Sequence, residues 1–186
     1  MQNMGVWSLR RNIHEPITPE QFEQGFRLLE KPRYRAYAVL IYYTGIRVSE
    51  ALRLTKEAFT NDGTTLYVEV GIRLKTQRKR KDGTISKGKR TMPLPLDLKL
   101  PHMDLLAHQV KYTRKGERVF HFDRSTALRQ ITKAGLGYNH LARMTAITTF
   151  LKAGYSIAHI VNFFGISVQT VNNYIGVIDL KSMGAM

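Results

Sequence analysis

The hydrophobic period of this chain changes twice, from helical to strand spacing and back, and these changes limit the folds open to it. In the first segment apolar residues recur at helical spacing, as Phe22 and Phe26 do. After the turn signal Asn61-Asp62-Gly63, residues 66–75 alternate with the period of two that is typical of a half-buried strand. Helical spacing returns from about Pro101. The pattern predicts a mainly α fold with a small antiparallel β-hairpin or sheet, in the α+β class.

Local signals place the ends of several helices. Thr18 is suited to be an N-cap, with Pro19 at the first helical position and Gln21 closing a capping box. Gly45 lies where a helix C-terminus favours a residue that tolerates positive φ. We expect helices near residues 19–29, 33–43, 48–54, 103–111, 125–133, 139–153, 156–164 and 167–175, and a second hairpin strand near 91–95.

The same patterns predict one domain. We expect an N-terminal arm over residues 1–16, the folded domain over 17–178 and a loose C-terminal tail over 179–186. The chain has 186 residues, which suits a single core. It has no cysteine, which excludes disulfides and thiolate zinc sites. No apolar run is long enough to span a bilayer, and the N-terminus lacks a signal-peptide pattern, so we expect an intracellular protein.

The charge of the chain points to a polyanionic partner. Its formal net charge is +15, which favours nucleic acid as the usual partner. The basic residues cluster between Gly71 and Arg90, where Asp82 is the one acid. We predict that this basic hairpin contacts DNA phosphates, against the alternative of a solvated loop. The candidate DNA-binding residues are Arg73, Arg78, Lys79, Arg80, Lys87, Lys89 and Arg90.

The segment Thr44-Gly45-Ile46-Arg47-Val48-Ser49-Glu50-Ala51-Leu52 carries the first candidate anion-binding residue. Arg47 follows a helix end and opens the next helix, where a guanidinium and free backbone N–H groups can face an anion together. Glu50, three residues later, can hold that guanidinium in place. Taken alone, an arginine at a surface corner between two helices explains the segment equally well.

Two further pieces are weak when each is judged alone. His140 and Arg143 have i, i+3 spacing, which places them on one helix face within reach of one small anion. Tyr174 lies near the C-terminus among polar neighbours. Such a histidine–arginine pair occurs often by chance, and a lone tyrosine is usually a core or interface residue. Their order and spacing after the first segment give them weight.

In that order these pieces resemble the tyrosine recombinase, or phage integrase, family over residues 17–177. The resemblance covers the catalytic half of a typical member, without the N-terminal core-binding domain. It implies that Arg47 and Arg143 bind the scissile phosphate, that His140 belongs to the second motif and that Tyr174 is the nucleophile. It also implies a hairpin lysine that protonates the leaving 5′ oxygen. Lys75 is our choice, with Arg73, Lys79, Lys87 and Lys89 as rivals.

One position departs from the family pattern. Members carry a histidine or tryptophan after a Leu-Gly pair, about nine residues before the tyrosine, and Ile166 stands there in this chain. His159 does not match that position. The departure indicates a divergent branch, viral or archaeal.

The resemblance implies a site-specific recombinase that joins DNA through a covalent 3′-phosphotyrosine, with double-stranded DNA as partner and no metal or other cofactor. It also implies a homotetramer on DNA, a monomer or weak oligomer without DNA, and a cytoplasmic or nucleoid-associated location, in the host cell if the protein is viral. A non-enzymatic helix-turn-helix DNA-binding protein is the alternative, with Gln169, Thr170 and Asn173 contacting bases. A type IB topoisomerase would use the same chemistry.

Overall fold

The structure, a computed structural model, describes residues 16–73, 89–137 and 139–183. Predictions on Lys75, Arg78, Lys79, Arg80 and Lys87 lie outside the described residues, as does the arm up to residue 15. The helices are α1 (Pro19–Leu28), α2 (Pro32–Thr44), α3 (Val48–Ala51), α4 (Met103–Tyr112), α5 (Arg124–Lys133), α6 (Asn139–Lys152), α7 (Ile157–Phe164) and α8 (Val168–Met183). The strands are β1 (Phe59–Asn61), β2 (Thr65–Arg73) and β3 (Lys89–Asp97), and Lys56–Ala58 forms a short 3-10 helix.

Helix α2 is the centre of the core. It packs against α4, α5 and α6, and it buries residues on every side, from Tyr34 to Thr44. A helix that is buried all round has little amphipathic character, and α2 therefore lacks a polar face. The core continues through Phe22 and Phe26 of α1 and through the inner residues of the sheet. Helix α2 ends at Thr44, and Arg47, three residues later, is the N-cap of α3.

The sheet has three antiparallel strands in the order β1-β2-β3. Leu66, Val68 and Val70 of β2 are buried, whereas Glu69 is exposed, as the alternation predicts. The predicted hairpin and the α+β class are confirmed, with Thr65 paired to Asp97 at one end of the ladder. Strand β1 was not predicted, because its three residues are too few to show the alternation of buried and exposed side chains.

Two helix predictions differ from the structure. The third helix was expected to reach residue 54, but α3 ends at Ala51 because Leu54 accepts a hydrogen bond from the Val119 backbone instead of continuing the helix. The last helix was expected to end near Ile175, and residues 179–186 were expected to be loose. This is wrong for the described residues, since α8 continues to Met183 and no proline interrupts it.

The capping predictions are confirmed. The Thr18 side chain accepts from the Gln21 backbone N–H, and the Thr18 backbone N–H donates to Gln21 Oε1, both at 3.2 Å. Gly45 has the left-handed φ of 58° at the end of α2. No helix in the described part of the chain is both long and apolar enough to cross a membrane. The division at residues 16 and 178 stays a prediction.

Candidate functional site

Arg47 is the N-cap of α3, directly after the left-handed turn that ends α2. Its Nη1 donates to Glu50 Oε1 at 2.9 Å, and its backbone N–H donates to Glu50 Oε2 at 2.8 Å. The side chain of Arg47 keeps 31% of its surface exposed, against 11% for Glu50. Glu50 therefore fixes the guanidinium, as the i, i+3 spacing predicted, while solvent still reaches it.

Arg143 lies on α6 and is 7% exposed. Its Nη1 donates to the Gly45 carbonyl at 2.9 Å, and its Nη2 donates to the carbonyl of Phe164 at the end of α7. The Phe164 ring lies 5.5 Å from the guanidinium carbon. A guanidinium has five N–H donors, so after these two bonds it still has donors that can bind an anion. The Arg143 side chain thus links α6 to the ends of α2 and α7.

Gly45 allows this close approach. A Cβ built at Gly45 would come within 2.8 Å of the Ala146 Cβ and 3.2 Å of the Arg143 Cα. Any other residue would push α6 away from the end of α2. The glycine therefore serves both the positive φ of the turn and the position of the arginine.

Arg47 and Arg143 lie close enough to interact electrostatically. Arg143 is 98 positions away in sequence from Gly45, whose carbonyl it binds. Burial, and then repulsion from the Arg47 guanidinium, lowers the pKa of Arg143 to about 10. Glu50 and Tyr174 act in the opposite direction. At neutral pH the Arg143 side chain remains charged. Two cations held together with one carboxylate leave an excess of positive charge, which an anion would neutralise.

A small cavity opens beside these groups. Glu50 and Arg143 supply its charged walls, and Val70 of β2 and Phe163 of α7 supply apolar ones. The cavity therefore joins the sheet, α3, α6 and α7 at one place. Since Val70 lies three residues before the end of β2, the basic hairpin begins next to the arginine pair.

Tyr174 lies on α8, half-buried, and packs against both hydrophobic clusters of the domain. The Tyr174 phenol also raises the pKa of Arg143, partly offsetting the effect of burial. Ile166 packs in the smaller cluster with Phe164 and Val171, in the turn between α7 and α8. It offers no hydrogen-bond donor from its side chain.

The other predicted site residues are placed as follows. His140 is on α6, one turn before Arg143. Arg73 ends β2, and Lys89 and Arg90 begin β3, with Arg73 paired to Lys89. Lys75 and the remaining basic candidates lie outside the described residues. Among the residues that are described, no group of three or more His, Cys, Asp or Glu side chains could hold a metal ion.

The hydrogen-bond acceptors of Arg143 were not predicted from the sequence. The backbone carbonyls of Gly45 and Phe164 leave no signal of their own in the sequence, because every residue has a carbonyl. Gly45 was noticed as a helix end and not as a contact of α6. Gly45, directly before Ile46 and Arg47, was the signal in the sequence that could have indicated a close approach of another helix.

This fold and this arginine pair define a class: the chain has the fold of the tyrosine recombinase catalytic domain. A comparison with protein-family models gives no match, and neither does a comparison with curated proteins. Solved structures do match. The XerH site-specific recombinase bound to palindromic difH substrate aligns with a TM-score of 0.64 and 18% identity, over 92% of this chain and 52% of that one.

Two further structures give similar values. The catalytic domain of bacteriophage HP1 integrase aligns with a TM-score of 0.58 and 15% identity, over 87% of both chains. The XerA recombinase aligns with a TM-score of 0.61 and 17% identity, over 91% of this chain and 65% of that one. The chain thus spans about half of the XerH recombinase and less than two thirds of XerA.

Proposed function

We propose that this protein is a tyrosine-type site-specific recombinase, which cuts and rejoins DNA through a covalent 3′-phosphotyrosine at Tyr174. The observation that carries the proposal is the meeting of Arg47 and Arg143 at one site, together with the charge interaction between Arg143 and Tyr174. Three residues that are far apart in sequence are near one another in the fold. An arginine at a chance surface corner would have no such neighbours.

The arginine pair suits the charge of a phosphodiester in reaction. Attack on phosphorus places additional negative charge on the non-bridging oxygens, and preorganised guanidiniums stabilise that charge. Arg143 is already fixed by two backbone carbonyls and Arg47 by Glu50, so little reorganisation is needed when the phosphate arrives. Loss of one such donor from an active site costs about 3 kcal/mol of transition-state stabilisation, or roughly a hundredfold in rate.

Tyr174 is the nucleophile in this proposal. Its phenol oxygen forms a bond to phosphorus while the bond from phosphorus to the 5′ oxygen breaks, and the phenol gives its proton to solvent water. Nearby positive charge favours the phenolate. The product is a 3′-phosphotyrosine and a free 5′ hydroxyl. Because the phosphoester bond is kept in the intermediate, the reverse attack by a 5′ hydroxyl rejoins the strand without ATP.

Lys75 and His140 have supporting roles in the proposal. A lysine on the hairpin can give its proton to the departing 5′ oxygen as general acid. His140, one turn before Arg143 on α6, can donate to the same phosphate. The choice of Lys75 over Arg73, Lys79, Lys87 or Lys89 stays a prediction.

Double-stranded DNA is the proposed partner. The net charge of +15 supports this, as do the basic residues that follow the cavity-lining Val70 in the sequence. XerH was solved bound to its difH substrate and the Tn1549 transposon integrase in complex with transposon right end DNA, both with this fold. A homotetramer on DNA, a cytoplasmic or nucleoid-associated location and a role in viral genome integration complete the proposal.

A helix-turn-helix DNA-binding protein is the second candidate. Helices α7 and α8 are joined by a tight turn at Gly165, and Gln169 and Asn173 are exposed on α8, where Gln169 Nε2 donates to Asn173 Oδ1 at 3.3 Å. This geometry suits a recognition helix. It gives no reason for the arginine pair, which favours the recombinase. A type IB topoisomerase would differ in relaxing supercoiled DNA at sites of any sequence.

Trapping the covalent intermediate tests the proposal. The protein is incubated with random-sequence duplexes nicked on one strand, so that the short 5′-hydroxyl fragment diffuses away after cleavage, and adducts are resolved on a denaturing gel. We expect an adduct with the native protein and with Arg27→Ala, a matched change on α1. Tyr174→Phe should give none, and Arg47→Ala should form the adduct roughly a hundredfold more slowly. DNA binding without any adduct would favour the helix-turn-helix candidate, and an adduct with Tyr174→Phe would refute the assigned nucleophile.

A second substrate tests the general acid. A 5′-bridging phosphorothiolate has a thiol leaving group, which needs no protonation because its pKa is far below that of an alcohol. Lys75→Ala should cut the normal phosphodiester at least a hundredfold more slowly than the native protein and cut the phosphorothiolate at the native rate. The same rescue for Lys89→Ala, and not for Lys75→Ala, would show that Lys89 is the acid.

A further inference from the structure

Two loops on the far side of α3 from Arg47 form a platform. One loop follows α3 and the other follows α4. Lys56 N–H donates to the Glu117 carbonyl at 3.1 Å, and Val119 N–H donates to the Leu54 carbonyl at 2.9 Å. The bridge between Thr55 and Arg118 lies between these bonds. The two loops are therefore held by backbone hydrogen bonds, as a short piece of sheet is.

Side chains add to this platform. Gly116 N–H donates to Glu57 Oε1 at 2.6 Å, and Lys56 Nζ donates to the Lys111 carbonyl at 2.9 Å. The backbone N–H of Glu57 itself, the bond from Gly116 and, more weakly, the nearby Lys115 lower the pKa of Glu57. The backbone that carries the charges of this surface is consequently held in place by hydrogen bonds.

The platform carries a concentration of cations, which we call the second basic surface. Its members are Arg53, Lys56, Lys111, Arg114, Lys115 and Arg118. All except Lys56 are exposed, and the acids within residues 53–57 and 111–118 are Glu57 and Glu117. Within the described residues, the ion pairs closer than 4.0 Å are Arg47–Glu50 and Glu23–His102, and neither includes a member of this surface.

An exposed aromatic side chain lies at the edge of the surface. Tyr112 is 68% exposed, its ring lies 5.6 Å from Lys111 Nζ, and the His108 ring lies 4.4 Å away. A ring that remains this exposed beside cations is suited to contact with a nucleic acid, since the sugars offer apolar surface between the phosphates.

We propose that the second basic surface binds the phosphate backbone of a DNA duplex next to the cleavage site. The inference rests on the proposed function for the identity of the polyanion. Arg47 precedes α3 and Arg53 follows it, and a four-residue helix is about 6 Å long, so the surface begins close to the arginine pair. Clustered cations beside an exposed ring match an array of phosphates and sugars.

The salt dependence of binding tests this. The binding constant for a duplex is measured by fluorescence anisotropy between 50 and 200 mM salt, with the double variant Arg114→Gln/Lys115→Gln. Each lost phosphate contact makes the log–log slope less steep by about 0.9, so two make it less steep by about 1.8. Over that range the native protein should then lose about twelvefold more affinity than the variant.

The control has the same change in charge at another place. Arg27→Gln/Lys31→Gln removes two exposed cations from the junction of α1 and α2. It should leave the slope near the native value. An equal fall in the two double variants would show a general charge effect and overturn the proposal, as would an unchanged slope in Arg114→Gln/Lys115→Gln. Urea unfolding midpoints check that both variants fold.

The identity of the partner is tested in the same assay. Tyr112→Ala should weaken duplex binding several-fold with an unchanged salt slope, because it removes contact area and no charge. Tighter binding of anionic vesicles than of duplex, sensitive to the Arg114 and Lys115 changes, would point to a membrane and overturn the proposal. Adduct formation is measured separately. If the salt slope becomes less steep in Arg114→Gln/Lys115→Gln but the native protein forms no adduct, the DNA-binding role of this surface is supported and only the recombinase chemistry is refuted.

Discussion

Gly45→Ala should destabilise the protein by about 2–5 kcal/mol, although it adds one methyl group. Gly45 has a φ of +58°, which an alanine adopts at a cost of about 1–2 kcal/mol. The new Cβ would lie 2.8 Å from the Ala146 Cβ, closer than Cβ atoms approach other atoms, and 3.0 Å from Phe164 Cε1, which is a tight contact. Forcing such a group into a packed core costs about 1–3 kcal/mol more.

The size of the effect can be measured by thermal and urea unfolding. For a domain of this size, 1 kcal/mol shifts Tm by about 2–4 °C, so Gly45→Ala should lower Tm by roughly 10 °C. Gly154→Ala is the control, because Gly154 has a φ of +81° and no atom within 4 Å of the position a Cβ would take. It should show the backbone cost alone.

The difference between the two variants isolates the close approach of α6 to the end of α2. If Gly45→Ala costs no more than Gly154→Ala, then α6 does not lie as close to Gly45 as described, and the position of Arg143 is wrong with it. If the difference is large, the Gly45→Ala protein should also lose adduct formation, because the guanidinium moves with its helix.

Three further changes test other contacts. Thr145→Val should cost about 1–3 kcal/mol in urea unfolding, because it removes the hydroxyl that accepts the buried N–H of Ile17 at 2.8 Å. Asp62 has its pKa lowered to about 2 by backbone N–H groups of the following turn, so its carboxylate stabilises the fold above its ordinary value of 3.8, and this contribution is lost as the pH falls toward 2. The urea midpoint of Asp62→Asn should accordingly fall below the native one at pH 5 and approach it at pH 2. Arg143→Lys should destabilise by about 1–3 kcal/mol, since an ammonium cannot reach two carbonyls with the geometry of a guanidinium, whereas the part-exposed Arg47→Lys should cost under about 1 kcal/mol. Equal costs for the two arginines would contradict the described anchoring.

The local parts of the fold were open to prediction from the sequence. The capping box at Thr18, the left-handed end of α2 at Gly45 and the alternation in β2 each depend on residues a few positions apart. Local hydrogen bonds and side-chain periods decide such features. The predicted proximity of Glu50 to Arg47 belongs to the same group, since both lie in one helical turn.

Features that depend on distant contacts were not open to prediction. α3 ends early because Leu54 pairs with Val119, and the sequence carries no sign of that pairing. The anchoring of Arg143 by two backbone carbonyls is of the same kind, with partners 98 and 21 positions away. The positions of Arg47 and Arg143 near one another followed from the family resemblance, and the helix period alone could not have supplied it. Their roles in catalysis stay predictions.

The double anchoring of Arg143 has a consequence for anyone who wishes to evolve or redesign this protein. A residue that ties α6 to the ends of two other helices cannot be varied freely, because a clone that loses it is removed for poor folding before its chemistry is ever scored. Screens for altered target preference should therefore leave position 143 and its glycine neighbour fixed and spread their diversity over surfaces that carry no part of the scaffold. Inactive clones at position 143 would report on the scaffold first and on the reaction second.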